Sequence, residues 1–68
     1  MKIVDARGLS CPEPVVLTRN AMKSKEDSYQ ILVDNVTSKE NVTRYAEHQG
    51  YQVSVSEQGG EYILNVSK

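Results

Sequence analysis

Apolar and polar positions follow two rhythms along the chain, and the rhythm changes at each turn signal. The segment Lys2-Ile3-Val4-Asp5-Ala6 carries two adjacent β-branched residues and reads as a short first strand. Arg7-Gly8 is a turn signal, with Leu9 as a lone apolar anchor behind it. Ser10-Cys11-Pro12-Glu13-Pro14 follows. Proline suits a first helical position, because its missing N–H has no helical partner there. The pattern therefore predicts a helix starting near Pro12, capped by Ser10 or Cys11, and running to Met22 or Lys23. Pro14, Leu17, Thr18 and Ala21 form its apolar stripe, flanked by Val15 and Met22.

A charged turn over 23–27 leads into a second strand at 29–34. Its Ile31-Leu32-Val33 run is apolar on both faces, as a central strand requires. Thr37-Ser38-Lys39-Glu40 has the form of a capping box, a hydroxyl followed three residues later by Glu. It predicts a second helix over 38–49, with Val42, Tyr45, Ala46 and Gln49 on one face and Gly50 as its left-handed end. Tyr51, Val53 and Val55 then alternate with polar residues, Gly59-Gly60 signals a hairpin, and Tyr62, Leu64 and Val66 mark a last strand. The order β-α-β-α-β-β predicts an α/β two-layer sandwich, a four-stranded mixed sheet with both helices on one face. The expected core is Leu17, Ile31, Val33, Val42, Ala46, Val53 and Leu64.

Composition narrows the choices. The chain has 68 residues, enough for one domain with a thin core. It has one cysteine, so no internal disulfide can form. Cys11 and His48 are the only soft ligands, too few for a structural zinc site, so neither a metal nor another cofactor is expected. With 8 basic against 9 acidic residues and no basic run, no nucleic-acid surface is expected. The runs Val15-Val16-Leu17 and Ile31-Leu32-Val33 fall far short of the roughly 20 apolar residues of a membrane span, so no membrane partner is expected. A free cysteine without a targeting segment fits a reducing cytoplasm.

Cys11 is the candidate for chemistry. A cysteine at a helix N-terminus meets unpaired N–H groups and the positive end of the helix dipole, and both favour the nucleophilic thiolate. Pro12 and Pro14 stiffen the corner but remove two donors, and Glu13 adds a negative charge, so activation is moderate. That suits a sulfur that must both accept and release a cargo. Free cysteines are also often small buried hydrophobes. Position alone leaves both readings open.

The stretch Asp5-x-Arg7-Gly8-Leu9-x-Cys11-Pro12-x-Pro14-Val15 resembles the signature of the TusA/SirA/YedF family, a C-P-x-P motif preceded by Gly-Leu between the first strand and the first helix. Element order and length extend the resemblance over the whole chain. It implies a two-layer α/β sandwich and a sulfur relay in which Cys11 accepts sulfane sulfur as a persulfide. The partners it implies are a donor protein such as a cysteine desulfurase and a downstream sulfur or selenium acceptor. Gly8, Leu9, Pro12, Glu13 and Pro14 would support the cysteine corner. The stretch Val33-Asp34-Asn35, Lys39-Glu40-Asn41-Val42 and Ala46-Glu47-x-Gln49-Gly50-Tyr51 resembles the YedF-like branch, linked to selenium metabolism. In that branch the module is often the N-terminal part of a longer protein, so residues 1–68 are expected to form one TusA-like domain, either alone or at the head of a longer chain. Asp34-Asn35-Val36 replaces the Asp-Asp-Pro stretch of the sulfur-carrier branch, which speaks against that branch's tRNA-thiolation partners.

Other residues have plain alternatives. Asp34 ends a strand that the fold should bring beside the cysteine corner, where it orients donor or acceptor, or serves as a turn acid. Arg7 attracts an anionic persulfide or a partner's carboxylate, or is a solvated turn charge. His48 suits a helix C-terminus better than a general base. Lys39 and Arg44 form a docking patch or a solvated helix face. Among functions, a sulfur carrier leads, since one cysteine cannot resolve a persulfide internally. A non-catalytic interaction or redox-regulatory module, with Cys11 as sensor or structural residue, is the alternative. RNA binding, suggested by similar folds in a domain of a bacterial translation initiation factor, is opposed by the charge balance.

Overall fold

A computed structural model describes residues 2–10 and 12–68. The elements are β1 (Lys2–Asp5), α1 (Glu13–Met22), β2 (Ser28–Val33), α2 (Val36–His48), β3 (Gln52–Gln58) and β4 (Glu61–Ser67), in the expected β-α-β-α-β-β order. The sheet order is β1-β2-β4-β3. β1 runs parallel to β2, and the other two pairings are antiparallel. β2 is thus an inner strand, which accounts for its apolar run.

Register places Val4, Ile31, Leu64 and Val55 in one row across the sheet, with Tyr29, Val66 and Val53 in the next row on the same face. This face takes the helices, α1 over β1 and α2 over β3 and β4. Ile31, Val33, Val42, Ala46 and Leu64 are fully buried, as periodicity predicts. Each large aliphatic side chain so buried contributes roughly 1.5–3 kcal/mol relative to exposure. The opposite face carries Ile3, Leu32 and Ile63 among polar residues, and Ile3 is 61% exposed.

Two expected core residues are only half-buried. Leu17 lies beside the stripe that α1 turns to the sheet, where Pro14, Thr18 and Ala21 are buried. Thr18 is tolerated in the core because its hydroxyl donates to the Pro14 carbonyl at 2.9 Å. Val53 and the exposed Val55 sit on β3, an edge strand paired on one side only.

Both predicted helix caps are corrected. The N-cap of α1 is Pro12 rather than Ser10, with no side-chain cap hydrogen bond among the described residues; Cys11, the other expected cap, lies outside them. α2 begins two residues earlier than its capping box suggests. Asn35 is the cap, and its Oδ1 accepts the Ser38 N–H at 2.7 Å. Ser38 is buried, and its Oγ has no hydrogen-bond partner among the described residues. The C-terminal end of α2 is as expected. Gly50, at φ +90°, donates to the Glu47 carbonyl, and Tyr51 donates to Ala46. Tyr51 then packs edge-on against Tyr29, with centroids 5.8 Å apart, and burial pushes its phenol pKa up.

Candidate functional site

The site is built at the carboxyl ends of β1 and β2. Because these strands are parallel neighbours, the turn after β1 and the turn after β2 come out on the same side of the sheet. Ligand sites in α/β sheets commonly occupy such strand ends. The turn after β1 contains Gly8 at φ +79°, a conformation that costs an L-residue about 1–2 kcal/mol. Its N–H donates to Asp34 Oδ2 at 2.7 Å. Asp34 Oδ1 in turn accepts from Asn35 Nδ2 at 3.2 Å, and Asn35 caps α2. One short chain of hydrogen bonds therefore ties the β1–α1 turn to the start of the second helix. Leu9, half-buried, packs against the core.

Arg7 is held on the same corner. Its Nε and one terminal nitrogen donate to Asp5 Oδ1 and Oδ2, both at 2.9 Å, and its other terminal nitrogen reaches Glu61 Oε1 at 3.3 Å. The Arg7 side-chain bonds, aided by its backbone N–H, lower the Asp5 pKa to about 2. The same contacts, Asp5 first and then Glu61, raise the Arg7 pKa. The guanidinium is therefore committed to two carboxylates of its own chain.

Cys11 lies outside the described residues, and so does the expectation about its side chain. Its neighbours are described. Ser10, Pro12 and Glu13 are exposed, while Pro14 is buried beneath the first turn. Glu13 spends its N–H on the Ser10 carbonyl at 2.9 Å, and Pro14 has none to offer. Two of the first three helical residues thus give an anion no amide. The start of α1 therefore offers an anion few free amides.

Comparisons with known proteins concern the chain as a whole. The family model described as Sulfurtransferase TusA matches residues 2–68. The chain belongs to the TusA family. It is 33% identical over 60 residues to the Methanocaldococcus jannaschii protein named "Putative sulfur carrier protein MJ0990", covering 85% of this chain and 80% of that one. It is 34% identical over 65 residues to the Bacillus subtilis protein named "Putative sulfur carrier protein YrkI", covering 91% and 85%. A crystal structure of a SirA-like protein from Desulfitobacterium hafniense superposes with a TM-score of 0.88 at 32% identity, covering 98% of this chain and 96% of that one.

In this TusA-family chain the structure brings Arg7, Gly8 and Asp34 to one end of the sheet, while Leu9 packs on the core and Pro12 lines a groove with α2. Asp34 serves the Gly8 turn, and Arg7 serves a pair with Asp5 and Glu61. The Glu61 contact spans 54 residues and leaves no local sequence signal. The role of Asn35 is legible in principle, since Asn is a favoured cap, but the Thr37–Glu40 pattern two residues on offers a competing helix start. Beside Pro12, a shallow groove of about 500 Å³ runs between the helices, with Pro12 and Val15 on one wall and Arg44, Tyr45 and His48 on the other. Among the described residues, no cluster of three or more potential metal ligands occurs, and no helix is long and apolar enough to cross a membrane.

Proposed function

We propose that the protein is a sulfur carrier in which Cys11 holds the cargo. The observation that carries this reading is the family match over residues 2–68, in a chain whose sole thiol directly precedes the Pro12 cap. The exposure of Ser10, Pro12 and Glu13, and the anchoring of Gly8 and Leu9, support a firmly held corner that two partners reach in turn.

The Cys11 thiolate attacks the outer sulfur of a donor persulfide. A bond forms between the Cys11 sulfur and the sulfane sulfur, the donor's S–S bond breaks, and the donor leaves as a thiolate. An acceptor nucleophile then attacks the sulfane sulfur and releases the Cys11 thiolate. Loading exchanges one S–S bond for another, so it needs no outside oxidant, and unloading exchanges the carrier's S–S bond for a bond between the sulfane sulfur and the acceptor. Asp34 and Arg7 act as positioning residues, holding the loop rather than touching sulfur. The donor in this reading is a cysteine desulfurase or similar persulfide protein, working in the cytoplasm. The resemblance of residues 33–51 to the YedF-like branch extends the proposal to an acceptor in selenium metabolism.

Thiol accessibility separates this reading from a structural cysteine. A small alkylating reagent should modify Cys11 in the folded protein at a rate close to that of the unfolded chain, and Cys11→Ser should melt close to wild type. Protection of the thiol until global unfolding would instead make Cys11 a structural residue and end the carrier reading.

A further inference from the structure

The two edges of the sheet meet solvent differently. β1 is four residues long and carries Lys2 and Asp5 at its ends. β3 is seven residues long, has no proline, glycine or lysine, and carries Glu57 as its one charge. Brevity, lysine and proline are the usual shields of an edge, so β1 is shielded and β3 offers its outer backbone groups to another extended strand. An antiparallel second copy of β3 suits its side chains. With a two-fold axis at Val55, Val55 meets its own equivalent, Ser54 meets Ser56 and Gln52 meets Gln58. Glu57 falls opposite Val53, so no like charges oppose each other. Val55 lies on the helix-covered face and is still 42% exposed.

Charge selects the occupant. Lys39, Glu40, Thr43, Arg44 and Glu47 line a depression beside Val55. The four charges make no ion pair among the described residues, although Lys39 stands over the Tyr62 ring at 5.2 Å. They cancel, so a partner of either net charge gains nothing here. In chain order they run plus, minus, plus, minus, and read backwards each sign is reversed. A second α2 running the other way about Thr43 therefore sets Lys39 against Glu47 and Glu40 against Arg44, twice over. The spacing agrees. α2 lies over both β3 and β4, about half a strand spacing inside the edge. With strands about 4.8 Å apart, pairing β3 with its copy brings the two α2 axes to about 10 Å, an ordinary helix packing distance.

We propose that the β3 edge and the outer face of α2 form a two-fold interface with a second copy of this chain, joining two sheets into one of eight strands. The turns that follow β1 and β2 lie toward the opposite edge, so they stay open in the dimer. The inference is independent of the carrier reading.

Sedimentation equilibrium of the full chain with a thiol reductant, from about 10 µM to about 1 mM, tests this. One strand pair and one helix pair make a small interface, so the dimer should be weak, with a Kd on the order of 100 µM. Cys11→Ser should associate as wild type does, which separates strand pairing from a disulfide between copies. Val55→Lys, at an exposed position, should melt as wild type does and weaken association about tenfold. Glu40→Arg and Arg44→Glu should each weaken it, and the double variant, which restores opposite charges across the axis, should recover it. As concentration rises, alternate amides of β3 should gain protection from hydrogen exchange. A monomer over the whole range would overturn the proposal. So would association that ignores Val55→Lys, association that requires Cys11, or a double variant no stronger than the single ones. Concentration-dependent amide shifts at Ile3, Leu32 and Ile63 instead of β3 would also overturn it, by placing the contact on the open face of the sheet.

Discussion

Asp34 Oδ2 accepts the Gly8 N–H at 2.7 Å, so the loop that leads to Cys11 is held by the residue that follows the neighbouring strand. A carboxylate is a stronger acceptor than a neutral oxygen, and the Gly8 amide stands in a left-handed turn that few other groups could satisfy. Asp34→Ala should lower stability by about 1–2 kcal/mol in urea titrations and speed hydrogen exchange at the Gly8 amide. Asp34→Asn, which retains an oxygen acceptor, should recover most of the loss. Equal stability for wild type and Asp34→Ala would mean that the turn holds itself.

The start of α2 gives opposite expectations for two neighbouring polar residues. Asn35→Ala removes the cap that receives the Ser38 N–H and should cost about 0.5–2 kcal/mol. Ser38→Ala removes a buried hydroxyl that has no partner among the described residues and should leave the melting temperature unchanged or raise it. Thermal unfolding of both variants decides the matter. A large loss from Ser38→Ala would restore the capping role that its sequence position suggests.

These two residues also show how far the sequence reaches. Element order followed from periodicity, because a face with Ile31 and Val33 or with Val42 and Ala46 has only one way to be buried. The C-terminal end of α2 was legible because Gly50 carries its own conformational signal. Helix starts were less so: Asn35 and the Thr37–Glu40 pattern both offer caps, and packing of Val42 and Ala46 onto the sheet chooses between them. Edge position decided the burial of Val53, and strand order is a tertiary property. At the site, Gly8, Leu9 and the C-P-x-P run were visible as a contiguous motif. The Asp34–Gly8 bond and the Arg7–Glu61 pair join distant segments and become visible only with β1 laid beside β2.

Asp5 supplies a pH test. Its pKa lies at about 2, below the ordinary value of 3.8, chiefly through the Arg7 side chain. A depressed carboxyl stabilises the fold fully above its unfolded pKa and loses that contribution as the pH falls toward the folded value. The pair should therefore support the fold above about pH 4 and weaken between there and about pH 2. Because the pair is exposed, the effect on stability should be small. Carboxyl-detected NMR should place the Asp5 midpoint well below an ordinary aspartate, and Arg7→Ala should return it toward the ordinary range. An unchanged midpoint in Arg7→Ala would remove Arg7 as the cause.

Intact-mass measurement of the protein after incubation with a persulfide donor tests the central claim most directly. The donor should be both a small-molecule persulfide and a cysteine desulfurase with its substrate. The account predicts a gain of one sulfur atom on wild type, reversed by a thiol reductant and absent from Cys11→Ser. A wild-type mass that stays unchanged with both donors, or a sulfur atom gained equally by the folded serine variant, would contradict it.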